Sequence, residues 1–228
     1  MKKPIPQEGL KLLACGAMLV DHWALLFGKD LWYRALGRLA FPIYCFLISE
    51  GLAHTRNRRR YFGRLALMAL VTEPIYDLAF YPRAIWQGQN VLWTLLLGGL
   101  LLDRLEQARK PGEKLFWLLL LPLVGEVLGV SYGMHGILLI ALFGLPRGQP
   151  GEVLPQILGT ALLSLCMGSI PIAVLGMNIP VQLFSLFAMV PIGLYSGKKI
   201  TKNPWVSRAF YLFYPLHLLV LLGIRCLS

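Results

Sequence analysis

Residues 9–28 read GLKLLACGAMLVDHWALLFG, and all but Lys11, Asp21 and His22 are apolar or glycine. Twenty residues rising ~1.5 Å each as a helix cross the ~30 Å hydrocarbon core of a bilayer. A charged side chain at the centre of that core costs about 2.5–3.5 kcal/mol even on insertion scales. Three polar groups within one crossing therefore point to a helix that faces a protein interior. The pattern recurs, with Arg38, Glu50, Glu73, Asp77, Glu126 and His217 each in or at the edge of an apolar segment. The expected fold is all-α, a polytopic transmembrane helical bundle built around a polar site.

Composition agrees. The 228 residues are 57% hydrophobic and 14% charged, with a mean hydropathy of +0.63, too little polar surface for a soluble domain of this size. The net charge of +11 would suggest nucleic acid in a soluble protein. In a membrane chain it follows from the enrichment of Lys and Arg in cytoplasmic loops, and no nucleic-acid partner is expected. Apolar runs near 9–28, 35–54, 63–82, 90–107, 114–130, 132–146, 154–175, 180–197 and 208–227 predict about nine spans. With a cytoplasmic N-terminus, sixteen Lys and Arg fall inside (Lys2, Lys3, the Arg56–Arg64 group, Arg104 through Lys114, Arg147, Lys198 through Arg208). Only Lys29, Arg34, Arg83 and Arg225 fall outside. That bias predicts N-in, C-out topology in a bacterial inner membrane and one membrane domain over 1–228. No internal repeat stands out. The first span, carrying Asp21 and His22, does not read as a cleavable signal. Cys15, Cys45, Cys166 and Cys226 are isolated in apolar runs, so neither disulfides nor a metal site is expected.

The buried polar residues concentrate at one depth. His22, Arg38, Glu73, Asp77, Gln89, Asn90, Glu126, Tyr132 and His135 all map to the outer half under this topology. Lys11 and His22, eleven residues apart, share one helical stripe with ~16 Å between them. Glu73 and Asp77 are an i,i+4 pair on one face. Asp21 faces elsewhere than His22 and is a poor candidate for orienting that imidazole. Each group has a plainer role to set against a catalytic one. His22 could hydrogen-bond within the bundle, and Arg38 could bridge Glu73 or Asp77. Glu50 could serve the arginine run at the inner interface, and His54 could join the inner loop. His135 opens the sixth span, and His217, in Tyr214-Pro215-Leu216-His217, sits inside the last. The loop Arg56-Asn57-Arg58-Arg59-Arg60, with Arg64 a turn later, is either an anchor on anionic lipid or a polyphosphate site read by guanidinium groups.

These same stretches resemble the TraX-type membrane acetyltransferases, a family named for the enzyme that N-acetylates conjugative pilin. The matching pieces are Lys11 through Met18-Leu19-Val20-Asp21-His22, Gly37-Arg38-Leu39-Ala40-Phe41-Pro42, and Ser49-Glu50-Gly51. They continue with His54 through Tyr61, Asn90 with Thr94-Leu95-Leu96-Leu97-Gly98, and Tyr214-Pro215-Leu216-His217. In outline the chain is also similar to the wider integral-membrane acyltransferases, through Lys11/His22, Ser49/Gly51 and the arginines that follow. Lys11 stands where that superfamily carries arginine. Residues 105–205 agree in hydropathy alone.

The resemblance implies acetyl-CoA as co-substrate, with Arg58, Arg59, Arg60 and Arg64 on its phosphates and Lys11 and Ser49 lining its path. It implies His22 as general base, since imidazole titrates near pH 6.5. Arg38 would stabilise the oxyanion, Glu73 or Asp77 would hold Arg38 or an acceptor ammonium, and Asn90, His135 and His217 would line the acceptor. The acceptor would be a peptide N-terminus, a glycan or a small amine. Direct attack and a route through acetyl-His22 both satisfy the sequence. A transporter using Glu73 and Asp77 as ion ligands is the alternative.

Overall fold

The computed structural model describes residues 3–81, 88–147, 151–174, 176–201 and 203–227. Lys2, Pro82, Arg83 and Lys202, used above to place a span end and loop charges, lie outside the described residues. The chain divides into two compact units, one comprising residues up to Tyr44 and from Thr160 onward, the other Cys45–Gly159.

In the first unit, α1 (Gln7–Leu26) begins after Pro6. The next apolar run forms two helices, α2 (Leu31–Gly37) and α3 (Ala40–His54), and α3 passes into the second unit. The expected single span from 35 to 54 thus starts earlier and is broken at Arg38 and Leu39. Pro42 has no N–H to give the Arg38 carbonyl, so the ladder lapses there, and Pro42 itself sits comfortably in the first turn of α3. At the crossing of α1 and α2, a Cβ on Gly37 would overlap the Asp21 side chain. Only glycine lets the two backbones approach this closely.

The run expected to span 154–175 is helical only as α8 (Val153–Cys166). It is followed by a hairpin of β1 (Pro171–Val174) and β2 (Met177–Pro180), paired antiparallel with Pro171 opposite Pro180. A 3-10 helix (Val181–Ala188), the short α9 (Met189–Gly193) and α10 (Pro204–Leu227) complete the unit. The all-α expectation is therefore amended by one small hairpin in a mostly helical chain.

The second unit packs α4 (Arg58–Phe80), α5 (Val91–Gln107), α6 (Pro111–Val127) and α7 (Gly133–Gly144). Asparagine caps two of them: Asn57 Oδ1 accepts from the Arg60 N–H at 2.9 Å, and Asn90 Oδ1 from the Leu92 N–H at 2.9 Å. Between α5 and α7, Gly98 lies under Ile140 and Gly144 under Leu102, a reciprocal pair of small residues that allows close helix packing. Leu101, Leu105, Val130, Ile137 and Ala141 form the core behind it.

Among the described residues, three helical segments are long and apolar enough to cross a bilayer: Gln7–Leu26, Leu31–His54 and Trp205–Leu227. Gly133–Gly144, Val153–Cys166 and Val181–Gly193 are shorter apolar helices. Large side chains face outward in helical register, as on α8, where Leu154 is 62%, Leu158 60% and Leu162 63% exposed. A soluble surface does not carry such stripes, whereas lipid solvates them. The chain is a membrane protein.

Candidate functional site

Two parallel helices of the first unit, α1 and α10, bring His22 and His217 together. On α1, Lys11, Cys15 and His22 recur at positions i, i+4 and i+11, the stripe expected from the sequence. On α10, Phe210, Tyr214 and His217 recur at i, i+4 and i+7. The stripes meet in order, with Lys11 Nζ 5.2 Å from the Phe210 ring centroid and His22 Nδ1 2.7 Å from His217 Nε2. The two imidazoles are nearly coplanar, at 6°. His217 Nδ1 lies 2.8 Å from the Phe213 carbonyl, and the Tyr214 ring leans on both histidines at 6.2 and 5.6 Å. Between these contacts Cys15 Sγ and Tyr44 Oη are 3.2 Å apart. His217, expected to line the acceptor, is instead the direct partner of the expected base.

The opposite flank of α1 holds a charge cluster. Arg38 Nη2 donates to Asp21 Oδ1 at 2.5 Å, Arg34 Nε approaches the same oxygen at 3.4 Å, and Arg38 Nη1 donates to Gln182 Oε1 at 3.3 Å. Arg38, Asp21 and Gln182 are all buried. The bridge from Arg38 to Glu73 or Asp77 entertained above is thus replaced by one to Asp21. Both guanidinium groups therefore address one carboxylate oxygen, Asp21 Oδ1. Arg34 and Gln182 escaped the sequence reading as site residues, and Asp21 was weighed there only as a partner for His22. The available signal was Gly37 beside Arg38, which marks a close helix crossing without naming the residue across it.

In the second unit, Glu73 and Asn90 belong to the fold. Glu73 Oε2 accepts from Asn90 Nδ2 at 2.6 Å and from Trp93 Nε1 at 2.6 Å, while Oε1 accepts from the Asn90 backbone N–H at 3.2 Å. Its carboxylate sits on the N-terminus of α5, where the helix dipole favours negative charge. Asn90, fully buried, also donates to the Ala69 carbonyl at 2.9 Å. These bonds give Glu73 and Asn90 a structural part at the junction of α4 and α5, beside the catalytic and acceptor-lining roles expected of them. Asp77, one turn on, keeps a buried Oδ1 with no hydrogen-bond partner. Glu126 caps α7 through the Met134 N–H at 3.0 Å, and Tyr76 Oη lies 3.1 Å from Ser131 Oγ. Glu73, Asp77, Asn90 and Glu126 thus gather at one end of α4–α7. His135 lies half-buried in the first turn of α7.

At the other end, Arg58 is spent on two carboxylates, Asp103 at 2.5 Å and Glu106 at 2.7 Å, and these hold its guanidinium still more firmly protonated. Arg59, Arg60 and Arg64 are exposed. Of the expected phosphate set, Arg58 thus braces α4 against α5 and the other three are displayed. Glu50 pairs with Arg147 at 3.2 Å rather than with the arginine run, and His54 bonds back to the Glu50 carbonyl at 2.9 Å. Ser49 Oγ, buried, donates to the Phe46 carbonyl at 2.8 Å. Among the described residues, no group of three or more His, Cys, Asp or Glu could hold a metal ion.

The sequence profile of the family described as TraX protein matches residues 6–225. A probable fimbrial assembly protein FimC, serogroup H1, of Dichelobacter nodosus is 32% identical, covering 93% of this chain and 92% of its own length. Protein TraX of Escherichia coli is 29% identical over 96% of this chain and 86% of its own length. Protein TraX of Escherichia coli strain K12 is 26% identical over the same shares, 96% and 86%. No solved structure matches. With its Lys11-to-His22 stripe, its buried Arg38 and its Tyr214-Pro215-Leu216-His217 turn all inside the matched region, this chain belongs to the TraX family.

Proposed function

We propose that this protein is a membrane-embedded acetyltransferase, moving an acetyl group from acetyl-CoA to an amine or hydroxyl such as a peptide or pilin N-terminus. The observation that carries the reading is the His22–His217 contact at 2.7 Å on two apolar helices, with Lys11 on the same stripe and the Arg38 cluster on the next face. An imidazole to accept a proton and a guanidinium to meet the developing oxyanion are what acyl transfer needs. The names of the relatives, protein TraX and fimbrial assembly protein, support a substrate connected with pili.

Acetyl-CoA supplies an activated thioester. His22 takes the proton as the acceptor nitrogen or oxygen bonds the acetyl carbon, and returns it to the sulfur as the C–S bond breaks. Arg38 stabilises charge on the carbonyl oxygen. Lys11 lines the thioester's side of α1, and Arg59, Arg60 and Arg64 are assigned to the nucleotide phosphates.

The proposal includes nine spans in a bacterial inner membrane with the N-terminus cytoplasmic. Support comes from parity. Asp21 meets Arg38 and Cys15 meets Tyr44, so α1 and the α2–α3 run are antiparallel. Lys11 meets Phe210 and His22 meets His217, so α1 and α10 are parallel. The first and last crossings then run the same way, which requires an odd count.

The test is transfer of labelled acetyl from acetyl-CoA to a pilin-type peptide by purified protein. His22→Ala is expected to lower transfer at least about 10²-fold while the protein stays folded and inserted. In the same assay, replacing Arg59, Arg60 and Arg64 by glutamate raises KM for acetyl-CoA. Full activity in His22→Ala removes the imidazole from the reaction.

A further inference from the structure

We propose that His217 is a positioning residue that fixes the tautomer of His22, so that the basic nitrogen of His22 is Nε2. The inference rests on the acyl-transfer reading for its purpose, but on hydrogen-bond geometry for its content. A backbone carbonyl can only accept, so His217 Nδ1, 2.8 Å from the Phe213 oxygen, carries the proton. A neutral imidazole has one N–H, which leaves His217 Nε2 as an acceptor. His22 Nδ1, 2.7 Å away, must then be the donor, and the lone pair of His22 falls on Nε2.

The arrangement is a chain from carbonyl to imidazole to imidazole. It does for His22 what a buried carboxylate does for the base of a serine protease, without a second charge in an apolar bundle. Asp21, adjacent in sequence, cannot do this because Arg38 and Arg34 hold it on another face of α1. The near-coplanarity of the rings, 6°, gives the bond good alignment, and Phe213 stacked on His217 at 4.9 Å keeps the second ring from turning.

The test combines a spectrum with a rescue. With 15N-histidine labelling, the chain contributes four histidines, and the His22 signals are those lost in His22→Ala. Wild-type protein is expected to show His22 protonated at Nδ1 alone. His217→Gln, whose amide oxygen can replace Nε2 as acceptor, keeps that tautomer and retains transfer within about tenfold. His217→Leu shows mixed tautomers and loses about 10²–10⁴-fold in kcat with KM for acetyl-CoA unchanged, the range seen when a catalytic imidazole is misoriented. His22 protonated at Nε2 in the wild type overturns the proposal, as does glutamine performing no better than leucine. If wild-type protein transfers no acetyl group, the acyl-transfer reading fails, while the spectrum still decides the tautomer.

Discussion

Asp21 and His22 are neighbours in sequence but lie ~100° apart around α1, and the separation divides the labour. His22 turns to His217 on α10, and Asp21 turns to Arg34 on α2 and to Arg38 in the break after it. The divergence was legible from helical geometry, and so was the shared face of Lys11 and His22. The partners were not, because nothing local tells a buried arginine which of several distant carboxylates it will meet. Removing one member of a buried ion pair costs about 3–5 kcal/mol, because the charge left behind is still desolvated. Asp21→Asn is therefore expected to lower thermal stability in detergent by that order, and Asp21→Asn combined with Arg38→Gln to recover part of the loss. Equal melting of Asp21→Asn and wild type would show that the pair carries no such weight.

At the scale of elements, the runs near 9–28, 90–107 and 208–227 were read correctly as helices because period and length leave little choice. The failures occurred where an apolar run contains punctuation. Between Cys166 and Val181 the chain carries Gly168, Pro171, Gly176 and Pro180, and it folds as a hairpin instead of continuing α8. A short apolar strand and a buried helical turn look alike by periodicity, and only the glycines and prolines separate them. Glu73 shows the same limit for a site residue. A carboxylate in an apolar helix reads as functional from sequence, and its two oxygens turn out to close the N-terminus of α5. Glu73→Gln is expected to cost about 1–3 kcal/mol of stability through lost charge-assisted bonds, with transfer per folded molecule unchanged. A stable but inactive Glu73→Gln protein would return Glu73 to the catalytic machinery.

For the whole molecule, two features agree on a lipid environment: the bias of Lys and Arg to one side in the nine-span reading, and the exposed leucine stripes. The first was legible in the sequence and the second needed only helical phase, whereas the parallel run of α1 and α10 required tertiary contacts. Together with membership of the TraX family, they are the setting for the proposed acetyltransferase, which on that reading takes its acyl donor on the N-terminal side and serves an acceptor near the other. The direct measurement uses oriented proteoliposomes with the N-terminus outward, labelled acetyl-CoA supplied outside and a peptide, glycan or amine acceptor enclosed within. The account predicts labelled acceptor inside and free CoA outside, with neither formed by His22→Ala vesicles. Absence of label on every acceptor, whichever side the donor occupies, would contradict it.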